Sequence, residues 1–317
     1  MCIRDSRNEE LFGGADPKLL NNSKRSGAEN SARLKKQYWR ETPKLRREAL
    51  LPFFWGTLAK EGVVLGNRAL GSDVEVSNPH HFSYPGYAEI MTGQPQASIK
   101  SNKAVPSPRE MVLEYVGRKF KLPREKVAAI CSWSVFNSIT AKVEGSIFCN
   151  AGFEAVPKKY LTPGMMAANE AQFRLTTPWD TVRHDWVTLT IANEYLKSQQ
   201  PKFFYEALAE TDDWGHERRY DRVLQAANYF DESLRALWTR LQASPRYRGK
   251  TSLVILTDHG RGHGVDDWVS HKYTIPGSAE IWIAVIGPDT PDRGEEKSAG
   301  PYSQSQDAAA ILRFYGL

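Results

Sequence analysis

Cysteine is scarce in this chain, at three residues in 317, in positions 2, 131 and 149. None stands in a CxxC pair or in a cluster with histidine, which argues against a cysteine zinc module. Cys131 and Cys149 are left to pair with one another or to lie buried as thiols. Apolar runs long enough to span a bilayer are missing as well, and no internal repeat is visible. Charge of one sign is not in great excess, the formal net value being +5. Much of it comes from Lys24-Arg25, Arg33-Leu34-Lys35-Lys36 and Lys44-Leu45-Arg46-Arg47. These read as solvated helix faces, because no nucleic-acid-binding module accompanies them.

What is present is ordinary for a soluble globular chain: 41% hydrophobic and 25% charged residues. The length is enough to bury a full α/β core, as one large domain with insertions. Short apolar runs alternate with helical patterns. Val127 to Trp133, Lys202 to Ala209, Leu253 to Leu256 and Glu280 to Ile286 read as strands. Ser107-Pro108 reads as a cap and first position of a helix running to about Phe120. Asp180 to Ser198, Arg222 to Leu241 and Gln306 to Phe314 read as further helices. In the second of these, Leu224, Phe230, Leu234, Leu237 and Trp238 face a sheet. Residues 18–40 are polar and read as a surface loop leading into a helix, and 134–178, rich in turn residues and aromatics, as an insertion over the site. The alternation predicts an α/β fold with a mostly parallel β-sheet sandwiched between helices.

Two strands end in metal-ligand chemistry. Leu253-Val254-Ile255-Leu256 runs into Thr257-Asp258-His259-Gly260, where Gly260 lets the backbone turn sharply. The run ending at Ala209 leads into Glu210-Thr211-Asp212-Asp213-Trp214-Gly215-His216. There, a spacing of four puts Asp212 and His216 on one helix face. His271 follows shortly after Asp258-His259. Carboxylate and imidazole donors suit a divalent transition metal or zinc, and strand carboxyl ends are where open α/β sheets place ligands. Asp212, His216, Asp258, His259 and His271 are therefore the candidate metal ligands. A nucleophile candidate lies upstream, Ser83 in Ser83-Tyr84-Pro85-Gly86-Tyr87, before a helix ending near Gly93. The alternative role for this hydroxyl is an N-cap. His80 and His81 lie beside Ser83, His184 reads as a mid-helix surface residue, and His263 as a mobile, glycine-flanked loop histidine. Trp214, between two candidate ligands, is either a core anchor or part of the pocket wall.

Taken in order, Ser83 to Tyr87, Asp212 with His216, Asp258-His259-Gly260 and His271 resemble the nucleophile and metal motifs of the alkaline phosphatase superfamily, nearest its phosphodiesterase-like and sulfatase-like branch. The resemblance runs from about Arg7 to the C-terminus. It implies a three-layer α/β/α fold and two divalent metal ions, zinc first and manganese second, flanking a phosphoryl group. Asp212, His216 and His271 would hold one ion, and Asp258 and His259 would face the other together with Ser83. Asn102 would donate to a phosphoryl oxygen. The implied reaction is hydrolysis of phosphate mono- or diesters of small molecules through a seryl-phosphate, with no nucleic-acid partner. A sulfatase would need a formylglycine signature C/S-x-P-x-R, and its fifth position here is Tyr87. A phosphate-transferring mutase and a non-catalytic homologue with a decayed site remain as alternatives.

One superfamily ligand is missing from the pattern. The family opens with an apolar strand ending in Asp-Gly. In this register Arg4 stands in the place of that Asp, and Asp5 is one place off. Residues 1–6 resemble a translated sequencing-adapter sequence, as seen at the start of metagenome-derived reading frames. The expectation is a truncated bacterial gene whose product, residues 7–317, is impaired by loss of that ligand. Relatives of this kind are often exported, so a periplasmic or secreted protein is expected.

Overall fold

The computed structural model describes residues 1–4 and 7–317; Asp5, the carboxylate one place out of register, lies outside the described residues. Among the described residues there are ten strands: β1 (Cys2–Ile3), β2 (Val63–Leu65), β3 (Val74–Glu75), β4 (Val127–Cys131), β5 (Phe148–Ala151), β6 (Phe203–Leu208), β7 (Leu253–Leu256), β8 (Ile283–Ile286), β9 (Gly294–Glu295) and β10 (Tyr302–Ser303). The chain forms two compact units. The first comprises Met1–Cys2, Phe82–Ala209 and Gln304–Leu317, the second Ile3–His81 and Glu210–Ser303.

In the first unit, β4 pairs in parallel with β5 on one side and β6 on the other. All five residues of β4 are buried, as a parallel strand covered on both faces requires. Its sequence, Val-Ala-Ala-Ile-Cys, has no polar side chain to give one face to water. Ala128 and Ile130 join Phe148, Val187, Ile191 and Tyr195 in one apolar cluster, which seats the helix Asp185–Gln199 on that face. The Phe148 and Tyr195 rings stack at 4.5 Å. On the other face the helix Val112–Lys119 comes close at Gly117, where an added Cβ would meet Val127 at 3.3 Å. This unit is thus a parallel sheet between two helical layers. The stretch 134–178 supplies β5 to that sheet and the helix Pro163–Gln172.

The second unit carries β7, β8, β2 and β9. The β7–β8 and β8–β2 pairs are antiparallel and β2–β9 is parallel, so β8 is the reversed strand; β3 and β10 pair in parallel separately. Both described pairs of the first unit are parallel, as the alternation of elements predicts, while in the second unit the antiparallel and parallel pairs balance. The helix Tyr220–Ala243 buries Leu224, Phe230, Leu234 and Leu237, while Trp238 is only half-buried. From the same helix the buried Asp231 carboxylate accepts the backbone N–H groups of Phe53 and Phe54 at 2.8 and 2.7 Å. Among the described residues no helix is long and apolar enough to cross a membrane.

Several boundaries differ from the sequence reading, each for a local reason. Residues 18–40 are not a loop but hold three short helices, Pro17–Leu20, Ser23–Ser26 and Ser31–Tyr38, capped by the side chains of Asp16, Asn22 and Asn30. Polar composition there reflects caps and solvated faces. The helix expected from Ser107 opens at Val112 instead. Ser107 uses its hydroxyl on the Arg109 backbone, and Glu114 closes the helix start by accepting the Met111 N–H at 3.1 Å. The helix of the serine motif runs over Ser83–Thr92 and ends at Gly93, whose φ of 75° suits a residue without a Cβ. Pro85 is tolerated because it lies in the first turn, where its missing N–H has no partner to lose.

Glu114 also accepts the N–H groups of Lys142 and Val143 and the Ser146 hydroxyl at 2.7–2.9 Å. Glu114→Ala would remove the acceptor of four donors, of which the Met111 N–H is buried, and should lower unfolding free energy by ~2 kcal/mol, with Glu114→Gln recovering part of it. Urea unfolding checks this; an Ala variant within ~0.5 kcal/mol of the parent would remove Glu114 from the account of this turn.

Candidate metal centre

The second unit brings the five candidate ligands together. Asp212 lies in the helix Glu210–His216, which opens directly after β6 in the chain and buries Asp212 completely. The spacing of four places His216 Nε2 at 3.2 Å from Asp212 Oδ1. β7 ends at Leu256, and the turn after it carries Asp258 and His259, both fully buried, with Asp258 Oδ2 3.4 Å from His259 Nε2. Gly260 is required here by close approach. Its N–H donates to Ser278 O at 2.9 Å, and a Cβ would fall 2.3–2.4 Å from the carbonyls of Glu280 and Gly277. His271 comes from the following loop. Its Nε2 is 3.2 Å from His216 Nε2 and 3.9 Å from Asp212 Oδ1, and its ring stacks on His259 at 4.0 Å. Ligand atoms of Asp212, His259 and His271 all lie within 4.8 Å of one another.

The imidazoles are oriented by backbone carbonyls. A carbonyl only accepts, so His271 Nδ1 donates to His81 O at 2.7 Å and His259 Nδ1 donates to Gly260 O at 3.1 Å. With Nδ1 carrying the proton, the His271 ring turns an Nε2 lone pair toward Asp212, and His259 turns its Nε2 toward Asp258. This is how metal-ligating histidines are fixed. His271 is held neutral, since burial and then the neighbouring His259 push it well below the usual histidine range. Two buried imidazole nitrogens and a carboxylate, converging from separate segments, form a donor set that fits a divalent ion of the zinc type. His216 differs from the others in being exposed. Burial lowers its pKa, but the charge and hydrogen bond of Asp212 outweigh this and raise it.

Asp212 is also clamped by two guanidiniums. Arg4 Nη2 reaches Oδ2 at 2.8 Å, and Arg261 Nη2 donates to Oδ1 and, at 2.9 Å, to the Asp212 carbonyl. Burial alone would raise this carboxyl, but Arg4 and then His216 hold it well below the usual carboxylate range. Arg4 Nη1 lies 3.5 Å from Asp213 Oδ2, yet burial dominates and Asp213 is pushed up to about 7. Burial likewise pushes Asp258 up to about 6. Arg261, buried and beside the Arg4 charge, is drawn below the usual arginine range. Neither arginine was marked as a site residue by sequence. Arg261 follows the Asp-His-Gly run directly and could have been found from that position; Arg4 entered only as the residue standing where an Asp was expected.

The remaining candidates lie in the first unit. Ser83 is fully buried and is the first residue of its helix; the preceding Phe82 takes the extended cap conformation, so Ser83 is not the N-cap. Asn102 Oδ1 accepts the Tyr84 N–H at 2.9 Å, which ties it to the same turn. Tyr87 is buried, with its ring 4.6 Å from that of Phe136. His184 is not mid-helix but caps Asp185–Gln199, its Nε2 on Thr176 O at 3.1 Å. In the second unit, His81 Nδ1 lies 2.7 Å from Ser278 Oγ, and the Trp214 ring lies 5.9 Å from the Arg222 guanidinium.

No protein-family model and no curated protein sequence matches the chain. Solved structures do. A phosphonate monoester hydrolase from Silicibacter pomeroyi is 12% identical, with a TM-score of 0.57 over 100% of this chain and 72% of that one. A 2-O GAG sulfatase is 13% identical, with a TM-score of 0.55 over 83% of this chain and 65% of that one. The lipoteichoic acid synthase LtaP from Listeria monocytogenes is 12% identical, with a TM-score of 0.52 over 86% and 67%. The chain therefore spans about two thirds of the length of these proteins. At such identities the likeness is one of fold alone: the chain has the α/β fold that these structures share.

His263, expected to be mobile, is instead held between two carboxylates, with Nδ1 on Glu9 and Nε2 3.1 Å from Glu280. The Glu9 hydrogen bond, against partial burial, raises its pKa to about 9. A pKa raised above the unfolded value of ~6.5 stabilises fully below that pH and is lost as pH rises through the folded value. Thermal stability should therefore fall between pH ~6.5 and about 9, by under ~1 kcal/mol because the pair is half-exposed. His263→Gln should flatten that slope, and an unchanged melting profile in the variant would refute the assignment.

Proposed function

We propose that this protein is a metal-dependent hydrolase of phosphate esters. The observation that carries the reading is the convergence of ligand atoms of Asp212, His259 and His271 within 4.8 Å of one another, each imidazole fixed by a backbone carbonyl. Asp212, His216 and His271 are proposed as the ligands of one ion, with Asp258 and His259 turned toward a second. The place of His259 inside the Asp212–His271 group makes these three the core of the set. A divalent ion bound there supplies Lewis acidity to a phosphoryl oxygen.

Ser83 is the proposed nucleophile, on the strength of the motif resemblance and its place at the start of a ten-residue helix. Its Oγ forms the bond to phosphorus as the ester oxygen leaves with the serine proton. Water then cleaves the phosphoserine and restores the hydroxyl. Asn102, tied to the Tyr84 backbone through Oδ1, retains an amide N–H₂ group suited to donating to a phosphoryl oxygen. A sulfatase is the second reading, prompted by the fold shared with the 2-O GAG sulfatase. It is less well supported, because the position where the formylglycine signature has arginine is filled by Tyr87, buried against Phe136.

Ser83→Ala should reduce turnover of an aryl phosphate or an aryl phosphonate monoester by at least ~10³-fold while leaving metal content unchanged. His271→Ala should do the reverse, depleting the metal first. Turnover in Ser83→Ala equal to the parent would exclude this serine, and faster cleavage of aryl sulfate than aryl phosphate by the parent would favour the sulfatase.

A further inference from the structure

Ser278 carries no charge and stands in no motif, yet it is completely buried and bonded to three segments around the metal centre. Its backbone carbonyl accepts the N–H of Gly260, the residue after His259, at 2.9 Å. Its hydroxyl donates to the carbonyl of Lys272, the residue after His271. A hydroxyl has one proton and a carbonyl only accepts, so the 2.7 Å bond between Ser278 Oγ and His81 Nδ1 is donated by the imidazole. The His81 carbonyl in turn accepts the Nδ1 proton of His271 at 2.7 Å. These bonds close a ring from His271 through His81, Ser278 and Lys272 back to His271. Two backbone positions in the ring are strained. Lys272 has φ of 141° and His81 φ of 50°, regions that residues with a Cβ seldom occupy. Such conformations persist only where the surroundings hold them. At His81 the Asn78 side-chain oxygen accepts the backbone N–H at 3.0 Å, and at Lys272 the carbonyl takes the Ile275 N–H at 2.9 Å together with the Ser278 hydroxyl.

We infer that Ser278 is a positioning residue of this centre: its single hydroxyl holds His271 from two sides, through the Lys272 carbonyl that follows it and through His81, whose carbonyl orients its ring. The inference rests on the metal-binding reading given above and names the residue that sets the aim of one ligand. His271 comes from a loop and not from a helix or strand, so no regular backbone ladder fixes its direction. The hydrogen bonds of the ring take that place. Hydrogen bonds one step removed from a metal ligand change metal affinity by about tenfold to a hundredfold. Alanine at position 278 leaves both carbonyls and all five candidate donors in the chain and removes only the oxygen that joins the two sides.

The test is calorimetric titration of Zn²⁺ into the parent chain, Ser278→Ala, His81→Asn and the double variant, each below its melting transition. Asparagine is chosen at position 81 because it tolerates the φ of 50° and is too short to replace the imidazole. Each single variant should bind at least about tenfold more weakly than the parent. The double variant should lose no more than about twofold beyond Ser278→Ala, because the His81 ring acts through Ser278. With Co²⁺ as the probe, the visible absorption band, which reports ligand geometry, should shift in Ser278→Ala at saturating metal. Losses that multiply independently in the double variant overturn the inference. So does a Ser278→Ala variant that melts lower but keeps the parent's Zn²⁺ affinity and Co²⁺ spectrum, since the serine is then a packing residue and the metal reading still stands. Absence of Zn²⁺ binding in the parent overturns the metal reading and the inference with it. If Ser278→Ala does not fold, His81→Asn, which leaves the buried hydroxyl in place, decides alone: weaker binding supports the inference and parent-like affinity overturns it.

Discussion

A carboxylate buried completely, as Asp212 is, stays ionised only if cations surround it. Much of the second unit's local structure answers that requirement. The helix Glu210–His216 brings His216 to one oxygen, the turn after β7 brings Arg261, and the chain after β1 brings Arg4 to the other oxygen. His271, kept neutral by burial and by His259, contributes a lone pair and not a charge. Positive charge and metal-type donors therefore meet at one group. The same carboxylate that would bind an ion is, in this chain, already served by guanidiniums.

The fold supplies rigidity on which such a site depends. β4 is buried on both faces and tolerates no polar residue, which is why its run of small apolar side chains could be read directly as an interior strand. The turn after β7 depends on a different constraint. Gly260 approaches the Glu280 and Gly277 carbonyls so closely that no other residue fits without backbone movement. His259 then donates to the Gly260 carbonyl, so the glycine that makes the turn also sets the tautomer of the histidine before it. The His81 carbonyl performs the same service for His271 from a residue with φ of 50°. Both orienting groups are main-chain atoms, and side-chain identity carries no trace of them.

The errors of the sequence reading have common physical causes. Where side chains serve as caps, as with Asp16, Asn22 and Asn30, the polar composition that resembles a loop marks helix starts. At Ser107-Pro108 the cap signal was real, but the hydroxyl served a local turn, and a buried glutamate further on opened the helix. His263 looked mobile because glycines flank it, while two acidic residues distant in sequence hold it in place.

The amino-acid sequence by itself determined the alternation of strands and helices, the apolar faces, and the five donors after two strand ends. These follow from local periodicity and from residue chemistry. Only the tertiary structure decided that Asp212, His259 and His271 converge, that Ser83 starts its helix as its first residue, and that Arg4 and Arg261 bind the same carboxylate. The reason is distance along the chain. Arg4 and Asp212 meet across more than two hundred residues, and which pairs of such groups meet is set by the tertiary packing of the second unit, not by any window of sequence.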